Sequence, residues 1–310
     1  MLNSELRPLG AGEVLDRAVT LFVRRFVPLA VVLAVSVVPL MILEAVIAPG
    51  TANIYSDMAR VFTASGRAES NAAAAQVTRD QGSMAAMSVV VLLTYALRFL
   101  TWSAILTIVA APAAIGVGAA YRAGLRYWFA QVVAAIAFMI LGMLALIPAF
   151  VLYVLAIVVV AALAALHALT VAVIVGILAG VVVLALFAAV GSWVYMTYAV
   201  ATTAIAIERV GLVASITLAL RRTLSRATWW RAIIAGLIIG LLTGGGELLF
   251  VAAGAVVGAL AHVPVLMFAF AGVGQILVQG LLAAFVVVFA TDMRVRREGF
   301  DLSSLAEGAT

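Results

Sequence analysis

Residues 127–207 read YWFAQVVAAIAFMILGMLALIPAFVLYVLAIVVVAALAALHALTVAVIVGILAGVVVLALFAAVGSWVYMTYAVATTAIAI, a stretch of 81 residues between Arg126 and Glu208 that holds no Asp, Glu, Lys or Arg. A helix in water keeps a charged or polar face, whereas a helix among acyl chains needs none, and roughly 20 apolar residues cross one bilayer. The stretch is therefore read as membrane-embedded. At about 1.5 Å rise per residue it is long enough for two generous crossings or three short ones. Which of the two applies is decided by the charges outside it.

Hydrophobic residues make up 67% of the 310-residue chain and charged residues 10%, against roughly 45–50% and 25% in an ordinary soluble domain. This excludes a soluble class. The opening MLNSELRPLGAGEVLDRAVTLFVRRF places acids and arginines ahead of any apolar core, unlike a cleavable signal peptide. The first span is accordingly expected to stay in the mature protein. Cysteine is absent, which removes disulfides, thiolate metal sites and thiol nucleophiles. All 18 basic residues are Arg, a bias that genome composition explains most simply, although guanidinium groups also bind phosphate bidentately.

Apolar runs between charged boundaries predict six spans, near 26–48, 86–120, 129–163, 169–206, 231–260 and 264–290. With six, Arg7, Arg17, Arg24, Arg25, Arg122, Arg126, Arg209, Arg221, Arg222, Arg226, Arg231, Arg294, Arg296 and Arg297 all fall on one side, which the positive-inside rule makes cytoplasmic. A seventh span would scatter them. The expected architecture is an all-α, polytopic membrane protein of three hairpins with both termini cytoplasmic. Pro148 is expected to kink the third span, and a turn near His167 to lie outside. Residues 26–290 form a single six-helix membrane domain in this reading, followed by a cytoplasmic tail, 291–310. The external segment 49–85 has formal charges that cancel, and its Ala-rich part from Asn71 to Val77 reads as a possible helix within a solvated connector.

Each odd-numbered span is introduced by a basic segment with aromatics: VTLFVRRF at 19–26, closing the elbow 1–25, YRAGLRYWF at 121–129, over the elbow 121–128, and LRRTLSRATWW within 209–230. These read as amphipathic elbows in the membrane interface. In the first, Glu13, Arg17, Thr20 and Arg24 oppose Val14, Ala18 and Phe22. In the third, Val213, Ile216, Leu220 and Leu224 recur at helical spacing.

Three of these places carry a family resemblance. Arg7-Pro8-Leu9-Gly10 with Glu13-Val14-Leu15-Asp16-Arg17, then Ile207-Glu208 with Leu220-Arg221-Arg222 and Trp229-Trp230-Arg231, and finally the tail Asp292-Met293-Arg294-Val295-Arg296-Arg297-Glu298-Gly299-Phe300-Asp301-Leu302 resemble the membrane domain of prokaryotic glycerophosphoryl diester phosphodiesterases. The similarity spans the chain and is specific at these borders. It implies a membrane topology but not the hydrolase. The catalytic part of that family is a separate barrel with a His-Arg-Gly segment, and neither His167 nor His262 is followed by Arg-Gly.

Ionisable residues inside the spans are the other candidates for chemistry. Glu44, Arg98 and Glu247 fall at similar outer depths by helical count, and they are expected to form one intramembrane cluster. Such a cluster reads either as an interhelical ion pair of Arg98 with Glu44 or Glu247, or as an outward cavity in which Arg98 holds an anion. Gly244-Gly245-Gly246 beside Glu247 either unwinds the helix or lets a neighbour approach. His167 and His262 read as turn residues rather than metal ligands. On the basic side, fourteen arginines face eight acids (Glu5, Glu13, Asp16, Glu208, Asp292, Glu298, Asp301 and Glu307), an excess of six. Arg24, Arg25, Arg122, Arg126, Arg221, Arg222, Arg226, Trp229, Trp230, Arg294, Arg296 and Arg297 are the candidate contacts for anionic lipids or partner membrane proteins. No polar domain presents a nucleic-acid surface, and no cofactor or metal is implied. The leading expectation is a non-catalytic membrane subunit or scaffold; the alternative is a transporter or lipid-handling protein using the charged cluster.

Overall fold

A computed structural model describes residues 8–47, 81–111, 115–261, 263 and 265–298. These form helices and turns with no strand among them: α1 (Ala11–Arg24), α2 (Phe26–Ile47), α3 (Gln81–Ala110), α4 (Val117–Ala165), α5 (Leu169–Ala206), α6 (Leu212–Thr223), α7 (Trp229–Leu260) and α8 (Val265–Glu298). Six of them, α2, α3, α4, α5, α7 and α8, are long and apolar enough to cross a bilayer. The protein is an all-α polytopic membrane protein. The charge-free stretch makes two crossings, α4 and α5, joined at a turn where His167 takes φ 59°. The segment around Asn71 to Val77 and the tail beyond Glu298 lie outside the described residues.

Three boundaries differ from expectation. The second span ends at Ala110 rather than near 120, because Ala111 precedes Pro112 in the sequence and a residue before proline is pushed out of the α region. The elbow at 121–128 is not set apart from the third span, since α4 runs unbroken for 49 residues from Val117 and carries both. Helix α8 continues to Glu298 and takes the first part of the supposed tail into its last turns. Pro148 lies inside α4 and Pro39 inside α2, each deleting one N–H from its ladder.

The chain divides into two compact units. One comprises Met1–Thr20, Tyr127–Leu241 and Ala284–Thr310; the other comprises Leu21–Arg126 and Leu242–Ala283.

In the first unit the α4–α5 hairpin packs closely only toward its base. Every residue from Met196 to Ala206 except Tyr198 is buried, and Phe138 meets Tyr198 edge-on with ring centroids 6.0 Å apart. Toward the tip the apolar side chains are exposed: of the apolar 18-residue stretch that qualifies each helix as a span, only 6% is buried in α4 and 11% in α5, against 72% in α8. Helix α8 is thus core, whereas the two hairpin legs present their side chains to lipid. A Cβ at Gly236 on α7 would lie 2.6 Å from the Ser192 carbonyl oxygen on α5, so glycine alone permits that approach. Gly236→Ala should cost about 1–3 kcal/mol through overpacking. Gly240→Ala, with nothing within 4 Å of the added carbon, should leave thermal unfolding in detergent unchanged; equal behaviour of the two variants would refute this packing.

In the second unit α2 lies against α3. The Arg25 Nη2 donates to the Ala111 carbonyl at 2.7 Å, and the Tyr121 hydroxyl donates to the Val32 carbonyl at 2.7 Å. These bonds tie the start of α2 to the end of α3 and the start of α4. Near the other end, Gly254 of α7 faces Met267 and Phe270 of α8, and an added Cβ would sit 2.7 Å from the Phe270 Cβ.

Candidate functional site

The polar groups of the first unit gather at the ends of α5, α6, α7 and α8. Helix α5 stops in a Schellman-type turn, with the Val210 N–H donating to the Ala204 carbonyl at 3.3 Å and Arg209 at φ 57° where glycine is usual. Just before that reversal stands Glu208. Its carboxylate accepts two bonds from Arg222 of α6, Nη1 to Oε1 at 2.6 Å and Nη2 to Oε2 at 2.9 Å. Arg222 is 2% exposed, so its guanidinium faces the protein and not the lipid or partner for which it was a candidate. The Thr197 and Thr223 hydroxyls, 2.9 Å apart, tie the same two helices.

A second clamp closes on the N-terminal arm. The Leu9 N–H donates to Asp292 Oδ1 at 2.7 Å, and the Leu9 carbonyl accepts from Arg231 Nη2 and Arg296 Nη2, both at 2.5 Å. Asp292, whose side chain is 0% exposed, also accepts from Arg296 Nε at 2.9 Å and lies 3.7 Å from Arg231. One carboxylate thereby bridges two guanidinium groups that share a backbone acceptor, a charge-assisted arrangement that keeps one net positive charge. Gly10 follows, its N–H capped by Glu13 Oε2 at 2.7 Å in the manner of half a capping box. Sequence reasoning grouped Arg296 with surface contacts and missed the clamp entirely.

The other candidates on this side divide by exposure. Arg221, Arg226, Arg297, Trp229 and Trp230 are exposed in the first unit, with the Trp229 and Trp230 rings 6.0 Å apart and edge-on and the Arg297 Nε donating to the Arg221 carbonyl at 3.2 Å. Arg294 is half-buried. In the second unit Arg24, Arg122 and Arg126 are exposed and Arg25 is half-buried.

The supposed intramembrane cluster is only partly assembled. Arg98 of α3 lines a small cleft with Ser36 of α2, Thr94 and Thr101 of α3, and Gln275 and Gln279 of α8; Leu33, Val37, Leu40, Trp102 and Ile105 supply its apolar walls. Glu247 is not in the lining. Its Oε1 lies 3.5 Å from Gln279 Nε2, and among the described residues no carboxylate pairs with Arg98. Glu44 falls in the last turn of α2, with its side chain outside the described set. Gly244-Gly245-Gly246 stays helical within α7, and a Cβ on Gly246 would meet Val278 at 3.0 Å, so close approach is the use these residues have. The two glutamines were missed by sequence reasoning, although their spacing of four puts both amides on one face of an apolar helix.

An arginine within a span costs at least roughly 2.5–3.5 kcal/mol at the helix centre unless it finds water, a partner or a headgroup. The cleft has a free volume of about 30 Å³, room for about two waters. Among the described residues no three His, Asp or Glu side chains come together as a metal site would require; His262 lies outside the described residues. No family model matches the chain, and neither a curated protein nor a solved structure does.

Proposed function

We propose that the chain is a non-catalytic multi-pass subunit of a bacterial plasma membrane, with both termini in the cytoplasm, that holds anionic lipid along its basic side and offers that side to partner membrane proteins. The observation that carries this reading is the division among the arginines. Arg222, Arg231 and Arg296 are engaged in internal clamps, while Arg221, Arg226 and Arg297 stay exposed beside exposed Trp229 and Trp230. Guanidinium forks next to amphipathic indoles suit the headgroup layer. With six crossings the start of α1, α6 and the end of α8 lie on one side, and the arginine excess there supports a cytoplasmic orientation.

A relationship to the membrane domain of glycerophosphoryl diester phosphodiesterases is part of the proposal. It is supported by the residues at the opening, the third elbow and the tail, several of which form the two clamps. In that reading the shared residues maintain the fold, and no hydrolysis follows from them.

Each Arg near an anionic surface contributes about 1 kcal/mol, so R221Q/R226Q should weaken retention of phosphatidylglycerol roughly thirtyfold at low salt. Native mass spectrometry of protein released from mixed phosphatidylglycerol and phosphatidylcholine micelles measures this. Equal retention by wild type and variant would refute the lipid part. Single cysteines at positions 226 and 167, labelled from either face of sealed vesicles, test the orientation, which fails if position 226 reacts only from the outside.

A further inference from the structure

In the second unit we infer that Arg98 with Gln275 and Gln279 forms a binding site for the phosphate of a membrane phospholipid, whose acyl chain leaves the cleft mouth past the half-buried Leu40. The residues come from three helices, α2, α3 and α8, and surround one cleft.

Depth is the first argument. Arg98 stands 13 residues before Ala111, about 20 Å along the helix from the end of α3 where Arg25 holds the Ala111 carbonyl. That is roughly two thirds of the way across a 30 Å hydrocarbon core. A guanidinium there extends toward the far headgroup layer on its apolar stem, and Arg98 is exposed at the cleft mouth.

Charge is the second argument. Glu247, the described carboxylate at comparable depth, engages Gln279 at 3.5 Å and does not line the cleft. Of the described residues that line the cleft, Arg98 alone carries a charge. A phosphate diester supplies one negative charge and acceptor oxygens that match the arginine fork, while the Gln275 and Gln279 amides, each with two N–H donors, add neutral donors.

The lining selects among phosphate sources. Leu33, Val37, Leu40, Trp102 and Ile105 make most of the wall apolar, which suits a headgroup that carries chains and not a free, fully hydrated anion. The free volume of about 30 Å³ is too small to enclose a headgroup. The phosphate consequently sits at the mouth, against Arg98, and the chain runs from there toward the bilayer midplane.

The test uses the full chain carrying R221Q/R226Q, which removes the lipid site beside Trp229 and Trp230, and reads each variant as a difference from that parent, so that lipid held at the remaining arginines cancels. In neutral detergent it is titrated with short-chain phosphatidylglycerol, the matching diacylglycerol and inorganic phosphate, and bound lipid is read by native mass spectrometry. Phosphatidylglycerol is expected to bind, Arg98→Gln to weaken it on the order of tenfold, and Gln279→Leu to weaken it several-fold. Diacylglycerol should bind weakly and alike in all variants. The proposal is overturned if Arg98→Gln binds phosphatidylglycerol as well as its parent does. Displacement of the lipid by millimolar inorganic phosphate overturns the lipid assignment. An Arg98–Glu44 ion pair makes a different demand: Glu44→Gln and Arg98→Gln would lower the unfolding temperature equally, the double variant would be no worse than either, and lipid binding would fall alike in both.

Discussion

Asp292→Ala should lower stability by about 3 kcal/mol and release the N-terminal arm. The Asp292 side chain is wholly buried and holds three donors: the Leu9 amide at 2.7 Å, Arg296 Nε at 2.9 Å and, at longer range, Arg231. Removing it strands two guanidinium groups that both reach the Leu9 carbonyl, at 2.5 Å each. Breaking a buried ion pair from one side typically costs about 3–5 kcal/mol, and the lower end applies because the two arginines keep 29% and 23% side-chain exposure. Asp292→Asn keeps an acceptor for the Leu9 amide but not the charge, so it should lose about half as much. Since the chain has no cysteine of its own, a cysteine in place of Val14, which is 3% exposed on α1, reports the release directly. It should react slowly with maleimide in the parent and quickly in Asp292→Ala. An unchanged unfolding temperature together with unchanged labelling would show that the clamp does not hold α1.

The Glu208–Arg222 pair should respond asymmetrically. Arg222 is 2% exposed and Glu208 is 17% exposed, so the two single variants leave behind different orphans. Glu208→Ala abandons a cation with almost no access to water and should cost about 3–5 kcal/mol. Arg222→Leu abandons a carboxylate that water can partly solvate, and it fills the space with an apolar group, so about 1–3 kcal/mol is expected. The double variant should be more stable than Glu208→Ala alone, because the unpaired cation is gone. Unfolding in mixed detergent–SDS micelles measures all three. Simple additivity of the two losses would mean that the bidentate geometry carries no coupling, contrary to the 2.6 Å and 2.9 Å bonds.

The spans were legible because the absence of charge is a property of composition, needing no knowledge of neighbours. The α4–α5 hairpin is the clearest case: with 81 residues free of charge, arginine placement alone separated two crossings from three. The break after Ala110 was harder to see, since Pro112 and Gly116 stand inside an otherwise apolar run, where hydropathy does not fall. The clamps were illegible for two separate reasons. Leu9 and Asp292 are 283 positions apart, a pairing that no local pattern encodes. Arg221 and Arg222 are adjacent, yet about 100° of helical rotation turns one outward and the other inward, so a count of basic residues treats alike two groups with opposite roles. At Arg98 the sequence placed the residue inside a span and proposed carboxylate partners. Among the described residues its cleft holds the Gln275 and Gln279 amides and no carboxylate, the side chain of Glu44 lying outside them, and two glutamines in an apolar helix are easily passed over beside a charge.

The α4–α5 hairpin has a consequence for the bilayer itself. A leg of 38 residues such as α5 is about 57 Å long, while the hydrocarbon core is about 30 Å thick and the whole bilayer about 40–45 Å. Standing upright, the leg overshoots. Fitting it within the full bilayer requires a tilt near 40°, the upper limit seen for membrane helices, and at that tilt its tip is displaced sideways by roughly 37 Å. A less tilted hairpin instead stretches the surrounding lipid. Hydrophobic mismatch of this size favours thicker membrane, so the lateral distribution of the protein should follow local bilayer thickness, a sorting signal written in the length of two helices and in none of their individual side chains.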